Sequence, residues 1–198
     1  MNKLITEYLA TGVEPLPDSI YGNGYRCSVY LIDETFLPCV MLRHSAPLVA
    51  LAKKRFEDER RGKGIFGSGN GYDTIVKSFV GSGNRLSDYD IAKVEPSKYA
   101  IPVSLLRQIE GETAMSWTGF VLEMNDGSLV PFGTSFLADF FNMPEPYTFS
   151  NVVRVHNHSY VSKGGQLASL KQGMAEQPAD YDVSKVHRER QYFLCYYG

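Results

Sequence analysis

YRCSVYLIDETFLPCVMLRHSAPLVALAKKRF, Tyr25 to Phe56, carries a strand period and a helix period in one continuous run. Tyr25–Ile32 is rich in β-branched and aromatic residues and follows the Gly22-Asn23-Gly24 turn, which reads as a strand. Asp33-Glu34 reverses the chain, and Thr35–Leu42 returns as a second strand. Pro38 has no amide hydrogen for a ladder, so this strand is expected at a sheet edge or with a bulge. A tight turn pairs Cys27 with Val40 and Cys39 with Ser28, which turns the two thiols to opposite faces. A one-residue slip would reverse that. Ser45 then reads as an N-cap, with Pro47 in the first helical turn. Leu48, Ala52 and Phe56 recur at helical spacing, while Lys54–Asp58, Arg55–Glu59 and Glu57–Arg61 lace the outer face, up to an end near Gly62.

The same order recurs downstream. Trp117–Met124 and Ser128–Phe132 form a hairpin through Asn125-Asp126-Gly127, whose glycine supplies the positive φ of the turn. Thr134 or Ser135 caps a short helix, Phe136–Asn142, stopped before Pro144. Strand, acidic turn, proline-bearing strand, hydroxyl cap and helix thus occur twice, either as two related strand-strand-helix units or by convergence on the same turn chemistry. Asp73–Val80, Val152–Val161 and Gln191–Tyr197 read as further strands, and Val103–Glu110 as a short helix closed by Gly111. A polar stretch runs up to Pro102, and Lys163 to Arg190 is mostly loop. The fold class is α+β: antiparallel hairpins with two or three helices packed on one face.

The chain has 198 residues, 43% hydrophobic and 21% charged, with a net charge of -2. That suits a single domain over 1–198, with 1–20 open to reading as a loosely attached N-terminal segment. Nothing global draws the chain to nucleic acid or an anionic membrane. The longest apolar run, Ala46–Ala52, is too short to span a bilayer, so no membrane partner is expected. Met1–Asp18 lacks the apolar core of a signal peptide. Cys27, Cys39 and Cys195 cannot all pair within the chain and read as reduced thiols, in keeping with a cytoplasmic location.

Gly62-Lys63-Gly64-Ile65-Phe66-Gly67 matches G-x-G-x-x-G, but the order is helix, glycines, strand, whereas a dinucleotide fingerprint needs strand, glycines, helix. Gly-Ser-Gly-Asn occurs at 67–70 and again at 81–84. An extended strand between the two copies would separate them by roughly 25–30 Å, so they read as turns bracketing a strand rather than one ligand cradle. Lys53, Lys54, Arg55, Arg60, Arg61 and Lys63 lead into the first of these loops and could grip nucleic-acid phosphates, although Glu57, Asp58 and Glu59 interrupt them.

Val152–Val161, VVRVHNHSYV, is the stretch with the most chemistry. On one uninterrupted strand, alternation places Arg154, His156, His158 and Tyr160 on one face and Val153, Val155 and Val161 on the other. His156 and His158 could share a metal ion or act as an acid–base pair, with Tyr160 beside them. No spacing singles out a third ligand, and Arg154 suits an anion better than a cation. Tyr21, Tyr25, Tyr72 and Tyr89 border loops rich in Gly, Asn and Ser, a composition typical of recognition surfaces. No cofactor is called for. The function these features favour is non-catalytic recognition or inhibition of a macromolecular partner, a protein, through the tyrosine-bearing loops and an exposed strand. The alternatives are a small hydrolase or phosphodiesterase-like enzyme using His156 and His158, and nucleic-acid binding through 53–63.

Overall fold

The computed structural model describes residues 3–61, 86–113, 116–135, 139–174 and 176–198. Among them are three α-helices and eleven strands in mixed sheets, an α+β fold. The chain gathers into two compact units, 1–98 with 192–198, and 99–191. Asp73–Val80, Tyr72, Lys63 and both Gly-Ser-Gly-Asn copies lie outside the described residues.

In the first unit, β2 (Gly24–Leu31) and β3 (Phe36–His44) form the expected hairpin, with Cys27 opposite Val40. Pro38 lies in an interior strand, at the register shift of this pair, so its missing amide is accommodated by a bulge. Its carbonyl accepts from Ser28 Oγ (3.0 Å) and Ser97 Oγ (2.6 Å). β11 (Phe193–Tyr197) runs parallel to β3 on the far side. β1 (Pro15–Leu16) and β4 (Ile91–Pro96) pair with successive parts of β2. Residues 1–20, the segment the sequence sets apart, include α1 (Lys3–Gly12), whose Ile5 and Leu9 are buried with Cys27, Val29, Val40, Leu42 and Val94. α2 follows from Ser45 to Arg60. All three cysteines are buried thiols outside any disulfide, and burial pushes the Cys27 and Cys195 thiols up to about 12.

In the second unit, β5 (Thr118–Met124) and β6 (Leu129–Thr134) make the hairpin at Gly127, whose φ is +85°. β7 (Val152–Asn157) flanks β5, and β10 (His187–Arg188) lies parallel to β6. One face of this sheet buries Phe120, Leu122, Met124 and Phe132 against Phe141 and Phe149, joined by Leu105 and Leu106 at α3 (Val103–Leu106). A smaller cluster, Tyr160, Leu170, Tyr181 and Val186, forms around β8 (Ser159–Val161) and β9 (Leu167–Ser169), with Trp117 packed against it. Gly119 and Gly133 sit directly opposite each other on β5 and β6, and the Trp117 indole lies on Gly133, with the Arg188 guanidinium 4.6 Å above its ring.

The helix expected over Phe136–Asn142 is corrected from Phe140 onward: Phe140 and Phe141 are extended and fully buried, bridging Ala100 and Glu189. Phe141 N donates to the Tyr99 carbonyl and Arg190 N to the Phe140 carbonyl, both at 2.8 Å. The Arg190 guanidinium stacks 4.2 Å from the Tyr99 ring. Tertiary bridging thus overrides a local cap-and-stop pattern, and the strand-strand-helix likeness is traced only as far as the second strand.

Candidate functional site

The single strand expected over Val152–Val161 breaks at His158, whose φ is +53°. A bulge at Val153 shifts the phase as well: Leu122 faces Val155 and Glu123 faces Arg154, but Met124 faces Val152. Val152 and Val155 therefore pack on the core, while Val153 is 62% exposed, which corrects its expected inward position. Arg154 is exposed on the outward face, and His156 lies on the same face with its Nε2 2.8 Å from Glu123 Oε2. His158 has left that face; its ring lies beside Gly111, and its carbonyl accepts from Leu170 N. Tyr160 is buried, its hydroxyl donating to Asp180 Oδ1 at 2.6 Å, a bond that pushes the phenol up to about 12. The four residues thus divide into an imidazole hydrogen-bonded to Glu123, a turn, a buried phenol and an exposed arginine. Among the described residues, no group of three or more His, Cys, Asp or Glu is placed to hold a metal ion.

The tyrosine and basic candidates also disperse. Tyr21 lies under the Arg43 guanidinium (5.7 Å), and Arg43 is held by Asp18 (3.3 Å) and the Gly22 carbonyl (3.0 Å). Tyr25 packs partly into the first core, whereas Tyr89 is exposed beside the Ser87 cap. Arg61 is exposed and pairs with Glu57 one turn back, at 3.7 Å. Arg60 ends α2, and its side chain lies outside the described part.

The feature that the sequence reading passed over is the outer edge of β4. Among the described residues β4 pairs only with β2. A groove of about 290 Å³ runs beside it, lined by Leu4, Ile5 and Tyr8 of α1 and by Ala92, Lys93, Val94 and Glu95. Four successive strand residues can line one groove only where it follows the backbone edge, because their side chains alternate across the sheet. The phase of that edge follows from one bond. Ser97 N donates to the Arg26 carbonyl, so Arg26–Ser97, Ser28–Glu95 and Tyr30–Lys93 are the hydrogen-bonded pairs of the antiparallel ladder. The amide and carbonyl of Val94 therefore point away from β2. Pro96 also faces outward, where its missing amide hydrogen costs β2 nothing.

The groove is apolar on its α1 side and charged on the other. Leu4 is 71% and Tyr8 41% exposed, one turn apart on α1. Ile5 and Leu9 hold the helix to the core, leaving that second stripe beside β4. Across the sheet, Lys93 Nζ and Glu95 Oε1 are 2.6 Å apart, and this hydrogen bond raises the Lys93 ammonium above its usual value. Such an edge offers a donor, an acceptor and an apolar shelf to an extended chain. Two signals were readable in advance: Leu4, Ile5, Tyr8 and Leu9 have helical spacing, and Lys93 and Pro96 are residues with which edges are commonly marked. Compared with known proteins, the chain has no significant match to any family model, curated protein or solved structure.

Proposed function

We propose that this protein acts by binding another polypeptide, without catalysis, through strand addition along the outer edge of β4. The observation that carries this reading is the outward-facing amide and carbonyl of Val94 beside the Leu4–Tyr8 stripe. Main-chain hydrogen bonds give such a site affinity for extended chains generally, and the shelf selects side chains on one face. A groove along a strand edge fits a chain better than a compact substrate, which is usually enclosed on most sides. The recognition function expected from the sequence is thereby kept, with its surface moved from Val152–Val161 and the tyrosine loops to β4.

The test pans displayed random peptides on the protein and maps the binders by amide chemical shifts. Enriched peptides are expected to move the Val94 amide and to lose most of their affinity for Leu4→Ser, Tyr8→Ser. Those residues are exposed, so the fold should change by no more than about 0.5 kcal/mol for each. Failure to enrich any binder, or binders whose shifts fall elsewhere and ignore the double variant, would refute the reading.

A further inference from the structure

We infer that the polypeptide received by the β4 edge is a second copy of the same chain, joined edge to edge about a two-fold axis at Val94. This rests on the reading of that edge as a polypeptide-binding site.

The argument is one of register. Two β4 edges meeting antiparallel must place outward-facing residues opposite one another, since only these direct their backbone groups away from β2. Val94 can therefore face the partner copy's Val94, Ala92 or Pro96. Opposite Ala92, the intervening Lys93 of each copy would meet its own counterpart, two like charges in direct opposition. Opposite Pro96, the two Glu95 would meet, and Pro96 would offer no donor. Only Val94 opposite Val94 places each Lys93 against a Glu95 of the other copy, twice, with two Val94 hydrogen bonds between them. Opposite charges in directly facing positions stabilise a strand pair, and like charges destabilise it. The segment Lys93-Val94-Glu95 is thus complementary to itself in one register and repelled in its neighbours, which an isologous two-fold interface requires.

The apolar half of the groove fits the same symmetry. Directly opposed residues of an antiparallel pair share a face, so joining the sheets at Val94 puts both α1 helices on one side. The exposed Leu4–Tyr8 stripes then flank the axis, while the Lys93 and Glu95 charges of both copies gather on the opposite side. Lys93 and Pro96 would ordinarily protect an edge against pairing. Here the ammonium already has a carboxylate 2.6 Å away, and the proline spares the central hydrogen bonds. The pair therefore selects a register rather than forbidding one.

The experiment is sedimentation equilibrium of the full chain with Lys93→Glu, Glu95→Lys, their equimolar mixture and the double swap. Both residues are well exposed, so each variant should fold. The wild type should be a dimer. Each single reversal creates two like-charge oppositions and should weaken dimerisation by about tenfold or more. Mixing the two single variants should restore association as a heterodimer, and the double swap should dimerise like the wild type. A monomeric wild type, or single variants that dimerise undiminished, would overturn the inference. A monomeric wild type whose Val94 amide still responds to displayed peptides would overturn the second copy alone. Loss of both responses would overturn the strand-addition reading with it.

Discussion

Gly133→Ala tests the packing of the second unit at its tightest point. A Cβ built on Gly133 would lie 2.1 Å from Trp117 Cζ2 and 2.6 Å from Cη2. An ordinary carbon contact is about 3.6 Å, so the ring would have to withdraw by about 1.5 Å. Withdrawal is opposed by the Arg188 guanidinium over the ring and by the small cluster against which Trp117 packs. Overpacking of this kind costs about 1–3 kcal/mol. Complete expulsion of the indole would approach the cost of deleting a buried tryptophan, about 3–5 kcal/mol, an upper bound here because Trp117 is only half-buried. We therefore expect a loss of about 2 kcal/mol, or about 4–8 °C in melting temperature. Trp117 is the only tryptophan in the chain, so its fluorescence reports both the unfolding and the local displacement. Pairing Gly133→Ala with Trp117→Leu should cost less than the two single changes added together. An unchanged melting temperature together with an unchanged emission maximum would show that the indole does not rest on this glycine.

Gly127→Val probes the opposite situation: nothing lies within 4 Å of the site, but φ is +85°, so the cost comes from the backbone and should be about 1 kcal/mol, read as a lower melting temperature. Equal stability would mean the turn relaxes to negative φ. At the same turn, the Tyr147 hydroxyl donates to Asp126 Oδ2 (2.7 Å) and, with the Ser128 amide, holds the Asp126 carboxyl below its ordinary value of 3.8. A depressed carboxyl stabilises the fold above its unfolded value and ceases to do so as pH falls through its folded value. Tyr147→Phe should therefore lower the melting temperature at neutral pH, with the difference shrinking below about pH 4. A pH-independent difference would refute the assignment.

The Tyr25–Phe56 run was legible because neither of its periods is interrupted for long; Cys27 does face Val40, but through a turn one residue longer than Asp33-Glu34, which pairs Tyr30 with Phe36, and a compensating bulge at Pro38. His158 was not legible, since a histidine at positive φ leaves the apolar pattern around it unchanged, and alternation counted through it misplaces everything beyond. β4 was hidden by its own bulge. With the register shifting beside Leu31, Ile91 and Val94 face the same core although three residues apart, a spacing that matches no strand pattern. Phe140 and Phe141 satisfy every local rule for a helix end, but their bridges to Ala100 and Glu189, together with the full burial of both rings, hold them extended. The Trp117 slot had a readable sign: two glycines inside strand patterns mark close approach to the backbone.

The clasp between Tyr99 and Arg190 bears on the order in which the chain can fold. β11 pairs with β3 across the whole second unit, from Phe193 back to Val40, so the first sheet stays one strand short until that unit has been made. The second unit is continuous in sequence and can collapse while the first waits. Once Phe140 and Phe141 have stitched its two ends together, the path from β3 to β11 no longer runs through its interior. The closing loop is then the stretch before Tyr99 and the few residues after Arg190, which lowers the entropy of closure by about 1 kcal/mol. Damage to the clasp should for that reason appear as slow completion of a sheet to which neither Tyr99 nor Arg190 contributes a residue.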